Sequence, residues 1–177
     1  MLSTQNARRA VAATVAAIGV FAAVQTQAEI LLARNNTNAI VFGGATYIVD
    51  FNGSASGGTS LTFATSAPNT RVMIIFNAEC AVEGAENKWV DIDILVDPAG
   101  PTGEFAVAPS NSDNAFCSGN GTSTATPTDF SLDGWVSATT VVAPLLPQAG
   151  THTLRIRVKG GTAGITLLDD MSLTVVR

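Results

Sequence analysis

The chain is poor in charge, in aromatic rings and in metal-ligating side chains, and each shortage excludes a class of function. One His and 2 Cys in 177 residues are too few for a Cys/His zinc cage, which takes four such ligands. Lys and Arg number 9 against 14 Asp and Glu, a net charge of −5, which is the wrong sign for the counterion release that drives binding to a phosphate backbone. With 2 Trp, 1 Tyr and 8 Phe the chain lacks the aromatic girdles of an outer-membrane barrel. No Gly-x-Ser-x-Gly elbow is present to expose a nucleophile. What is abundant is apolar: 46% of residues are hydrophobic and 13% charged, the composition of a packed domain and not of a disordered chain.

Part of that apolar content sits in one segment at the start. Arg8 and Arg9 precede an uncharged run, Ala10 to Val24, and Thr26-Gln27-Ala28 supplies small residues at the −3 and −1 positions of a cleavage site. The run falls short of the ~20 apolar residues that span a bilayer. Residues 1–28 therefore read as a cleaved secretory leader of Ala-rich, bacterial type, and residues 29–177 as a single domain that is extracellular or periplasmic. Without Arg8 and Arg9 the 9 basic residues fall to 7 against 14 acidic ones, so the expected mature chain carries −7. An acidic balance keeps it from anionic membranes.

Period-two alternation dominates residues 29–177. Val72, Ile74, Phe76, Ala78, Cys80 and Val82 alternate with Arg71, Asn77, Glu79 and Glu83; Val90, Ile92, Ile94 and Val96 alternate with Asp91, Asp93 and Asp97; Leu154, Ile156 and Val158 alternate with Arg155, Arg157 and Lys159. One buried and one wet face is the mark of antiparallel sheets. Weaker strands are expected at 39–42, 46–51, 60–64, 104–108, 135–142, 165–168 and 172–176. Gly43-Gly44, the stretch Asn52 to Gly58, Asp97 to Pro101 and Gly160-Gly161 provide the turns. The fold class that results is all-β, an antiparallel two-sheet β-sandwich of jelly-roll type.

The stretch 109–129 is rich in Ser, Asn, Thr and Gly and reads as a long loop, interrupted by Phe116-Cys117. In an oxidising compartment an even number of Cys residues pairs, so Cys80 and Cys117 are expected to form a disulfide that pins this loop to a core strand, with Phe116 beneath it.

The stretch Gly150-Thr151-His152-Thr153-Leu154-Arg155-Ile156-Arg157-Val158, followed by Leu168-Asp169-Asp170-Met171-Ser172-Leu173-Thr174-Val175, resembles the closing strands of galactose-binding-like jelly rolls, carbohydrate-binding modules among them. The resemblance covers about 30 residues of the domain. It implies a jelly roll and glycan binding, and it draws attention to structural calcium, which such folds often hold. Adjacent carboxylates at Asp169 and Asp170 are the candidate calcium ligands, since Ca²⁺ collects six to eight oxygens; the alternative is that they satisfy backbone N–H groups at a turn. No other cofactor is expected.

Trp89, Asp91 and Asp93 share strand parity on an outward face. An indole stacks on the C–H face of a sugar ring and carboxylates accept from its hydroxyls, so these three, with Asn114 and Asn120 of the polar loop, are the candidate ligand-binding residues. The alternative is a plain cross-strand charge ladder with Arg155 and Arg157. His152 has core-facing parity and reads as structural, which leaves no catalytic residue and no expected enzyme. The expected function is a secreted, non-catalytic module that binds a glycan or another extracellular ligand. The alternative is a structural surface or matrix subunit that assembles by strand addition through residues 29–34.

Overall fold

The computed structural model describes residues 28–42, 46–51, 60–82, 89–97, 105–108, 115–118, 135–160 and 166–177, with the backbone alone for 105–108. Thirteen strands appear among them: β1 (Ile30–Asn36), β2 (Ile40–Phe42), β3 (Thr46–Ile48), β4 (Leu61–Thr65), β5 (Thr70–Arg71), β6 (Met73–Val82), β7 (Trp89–Val96), β8 (Phe105–Ala108), β9 (Ala115–Ser118), β10 (Val136–Val142), β11 (Leu145–Leu146), β12 (Gly150–Gly160) and β13 (Thr166–Val176). Every pairing is antiparallel.

Two sheets face each other. Sheet A runs β1-β13-β6-β10, with β2 also on β13; sheet B runs β3-β12-β7-β8, with β4 also on β12 and β9 also on β7. The small pair β5–β11 continues the register of β6 on β10, with the Val72 N–H donating to the Pro144 carbonyl at 3.1 Å between them. Along the chain the main strands alternate between sheets: β1/β2 in A, β3/β4 in B, β6 in A, β7 to β9 in B, β10 in A, β12 in B and β13 in A. That is a jelly roll.

The alternation in the sequence is what closes the two layers. Ile74, Phe76, Ala78 and Cys80 of β6, Val90, Ile92, Ile94 and Val96 of β7, Leu154, Ile156 and Val158 of β12, and Leu173 and Val175 of β13 all point between the sheets and are buried. Each large aliphatic side chain so removed from water contributes about 1.5–3 kcal/mol. All three strands with the clearest alternation form as expected, and they hold the centres of the sheets.

β13 corrects one expectation. The weak strands at 165–168 and 172–176 are one strand with a β-bulge: Asp169 lies opposite Glu79 and Ser172 opposite Asn77, so an extra residue intervenes on β13. Asp170 takes the left-handed conformation, φ 44°. The inserted residue flips the parity. Before it Leu168 points inward, and after it Met171, Leu173 and Val175 do, all at most 1% exposed.

Two further expectations change. Ala115–Ser118, inside the stretch expected as loop, is the strand β9 on β7, with its own register shift: Val90 faces Cys117, Asp91 faces Ala115, and Phe116 is the extra residue. The shift helps turn both Phe116 and Cys117 toward the core. Phe116 then packs at a tilt against Phe76, ring centroids 5.3 Å apart, and Cys117 is bonded to Cys80 with Cα atoms 6.4 Å apart. The disulfide thus joins sheet A to sheet B. The segment expected to add to a neighbour, 29–34, is instead built into the protein's own sheet. Ile30 to Asn36 pair with β13, and Glu29 and Arg177 exchange backbone hydrogen bonds of 2.8 and 2.9 Å beyond the strand ends.

Candidate functional site

The outward face of sheet B carries the residues singled out by parity. On β7 the outward column is Trp89, Asp91, Asp93 and Leu95. Trp89 is 36% exposed whereas Leu95 is 2% exposed, so the open part of the face lies at the Trp89 end. The register sets β12 beside it, with Lys159 opposite Asp91 and Arg157 opposite Asp93. Acid on one strand and base on the next is the arrangement that cross-strand pairing favours.

The carboxylates are already engaged. Trp89 Nε1–H donates to Asp91 Oδ1 at 2.8 Å, which ties the nitrogen edge of the indole to the next outward position on its own strand. Asp93 Oδ2 accepts from Arg157 Nε at 2.9 Å and Nη2 at 2.8 Å. Arg155 donates from Nε to Ser60 Oγ at 2.6 Å. The expected charge ladder therefore forms at Asp93–Arg157, while Trp89, Asp91 and Lys159 make a separate group at the open end. An indole held in place offers the negative face of its ring to polarised C–H groups. Asp91 adds an acceptor and Lys159 a donor. Asn114 and Asn120 lie outside the described residues.

His152 is 3% exposed, as its parity requires, and both ring nitrogens are partnered. Nδ1 meets Asp97 Oδ2 at 2.5 Å and Nε2 meets Thr65 Oγ1 at 3.0 Å. Asp97, in the left-handed region at φ 45°, also accepts from the Thr153 N–H through Oδ1 at 2.8 Å. Thr65 Oγ1 also donates to the Gln148 carbonyl at 3.4 Å. The order carboxylate, imidazole, hydroxyl is that of an activated nucleophile. Here Thr65 is 4% exposed and Phe63 stacks on the imidazole at 5.3 Å, so the hydroxyl lies in the interior, and the network ties β4, β12 and the end of β7 together. Asp97 and Thr65 are not recognisable as partners in the sequence, because they lie 55 and 87 positions from His152.

Asp169 and Asp170 occupy the bulge of β13, where Asp169 Oδ1 accepts the Asp170 N–H at 2.8 Å. Among the described residues no group of three His, Cys, Asp or Glu side chains is placed to hold a metal ion. Asp169 thus satisfies one backbone N–H at the bulge. Among the described residues, too, no helix is long and apolar enough to cross a membrane.

No family model and no curated protein matches the chain. Among solved structures, a chain from the structure of the infectious bursal disease virus Gx strain is similar, with a TM-score of 0.43 and 14% identity, over 86% of this chain and 32% of that one. This chain spans about a third of that chain's length. The likeness is one of coarse shape, and no function is drawn from it.

Proposed function

We propose that the protein is an exported, non-catalytic β-sandwich that binds a glycan or another extracellular ligand on the outward face of sheet B. The observation that carries the reading is Trp89: a partly exposed indole on a strand face, fixed by Asp91 and flanked by Lys159. A ring fixed before the ligand arrives loses little freedom on binding, and this is where affinity is gained. Asp91 and Lys159 set orientation through hydroxyl groups, and the Asp93–Arg157 pair holds the two strands in register beside them. Export is supported by the leader-like sequence of residues 1–28 and by the Cys80–Cys117 disulfide, a bond that persists in oxidising compartments.

A glycan array probed with the wild-type protein and with Trp89→Ala tests the reading. Binding to at least one polysaccharide class, lost in the variant while its circular dichroism is unchanged, is the expected result. Absence of binding to every glycan would remove the glycan reading, and binding indifferent to Trp89 would remove the site. The second reading, a structural subunit, no longer has residues 29–34 as a free arm. It rests instead on the edges of sheet A.

A further inference from the structure

A sheet edge is a row of unpaired N–H and C=O groups, and monomeric proteins blunt it with short strands, bulges, or charges that point inward. Three of the four edges here are blunted in this way. The edges β3/β4 and β8/β9 of sheet B are each divided between two short strands. The edge β1/β2 of sheet A is divided as well, and β1 has a register shift between Ile30 and Leu32. Arg34 of β1 lies opposite inward-facing Leu173 and is exposed, so it places a charge at the rim of this edge, and its Nη1 donates to the Ala33 carbonyl at 2.8 Å.

The fourth edge continues past Ala143-Pro144 into the two-residue β11, and over the length of β10 it has none of these devices. β10, Val136–Val142, is seven residues long, reads Val-Ser-Ala-Thr-Thr-Val-Val, and pairs with β6 without a break in register. It contains no charge, no proline and no bulge, and Val136 and Val141 are 44% and 55% exposed. Among the described residues no strand pairs with its other side. The Ala138 carbonyl meets Asn77 Nδ2 of β6 at 3.1 Å, so it points toward β6. Alternation along the strand then turns the N–H and C=O groups of Ser137, Thr139 and Val141 to the open side.

We infer that β10 is a self-association edge, which pairs antiparallel with β10 of a second copy about a two-fold axis at Thr139 and joins two copies of sheet A into one continuous sheet. A second copy is the occupant the edge fits. An uncharged strand can meet itself without like-charge contacts, which matters in a chain with an acidic excess. The strand is also self-complementary: about Thr139, Val136 faces Val142 and Ser137 faces Val141, so both faces of the joined sheet keep their parity. Pairing of β10 with β1 of a neighbour would be head-to-tail and would give a ring or an open filament and not a dimer, and β1 carries a register shift and the charge of Arg34. Self-association through β10 is independent of glycan binding, since it uses the opposite sheet.

Sedimentation velocity of the purified protein, with Thr139→Lys and Thr139→Glu, tests it. Thr139 is exposed on the outer face of the sheet, so both variants leave the core untouched. The wild type is expected to sediment as a dimer. Each variant alone should fall to a monomer with an unchanged circular dichroism spectrum, because like charges meet across the axis. An equimolar mixture of the two variants should recover the dimer. A monomeric wild type, an open-ended polymer, variants that stay dimeric, or a mixture that stays monomeric would each overturn the two-fold edge. Glycan-array binding retained by the monomeric variants would separate this result from the fate of the Trp89 site.

Discussion

β12 and β13 hold corresponding places. Each is an eleven-residue strand flanked on both sides, β12 by β3/β4 and β7, β13 by β1/β2 and β6. β12 keeps one parity throughout, with His152, Leu154, Ile156 and Val158 inward and Arg155, Arg157 and Lys159 outward. β13 changes parity at Asp170, and its outward side is nearly uncharged after the bulge, with Ser172, Thr174 and Val176. The bulge has a consequence for its neighbour. β1 ends opposite Met171 and β2 begins opposite Leu168, so the edge of sheet A breaks where the bulge lies. A regular central strand organises a charged face for pairing and binding, whereas the bulged one divides and blunts the edge beside it.

Shifting the parity of β13 beyond its bulge should have the largest effect. Deletion of Ser172 leaves the bulge residue in place and turns Leu173 and Val175 outward, forfeiting about 2–3 kcal/mol for each. Such a loss reaches the lower end of the stability of a typical domain, about 5–15 kcal/mol. Loss of the cooperative urea transition is the expected outcome, followed by circular dichroism.

Next come matched core truncations. Ile156→Ala in β12 and Leu173→Ala in β13 remove side chains that are 1% and 0% exposed. Each should cost about 2–5 kcal/mol by chemical denaturation. Equal costs would show that the bulged strand is packed as firmly as the regular one.

Glycine distinguishes the two strands by sign. Asp170→Gly relieves a left-handed residue at φ 44° and should leave stability unchanged or raise it by up to about 1 kcal/mol. Arg155→Gly, in regular extended backbone, should lower it by about 1 kcal/mol or more. Thermal melts of the pair decide this.

The same differences explain which parts of the fold are legible in the sequence. Alternation in β6, β7 and β12 announces the sandwich, because each keeps one parity for its whole length. β13 reads as two strands because Leu167-Leu168-Asp169-Asp170-Met171 breaks the period at the bulge. β9 reads as loop because its four residues sit among Ser, Asn and Gly, and because Phe116 and Cys117 both turn toward the core, which no simple alternation allows. At the candidate site, parity alone aligns Trp89, Asp91 and Asp93. Which base meets which acid requires the register of β7 on β12, and this assigns Arg157 to Asp93 and Lys159 to Asp91.

The smallest effect is expected on the charged face. Asp93 and Arg157 side chains are 28% and 35% exposed, and a double-mutant cycle on them should yield a coupling below about 1 kcal/mol that shrinks with added salt. A coupling several times larger would mean that the pair is a principal fastener of the sheet, and not a support for the face beside Trp89.

The claim that Trp89 forms the ligand platform is tested most directly by its indole N–H resonance, monitored during titration with the glycan selected on the array. The chain has 2 Trp, so Trp135 serves as the internal control. The Trp89 signal, assigned by its loss in Trp89→Ala, is expected to shift in a saturable way while that of Trp135 stays in place. A bound glycan that leaves the Trp89 resonance unmoved would contradict the claim.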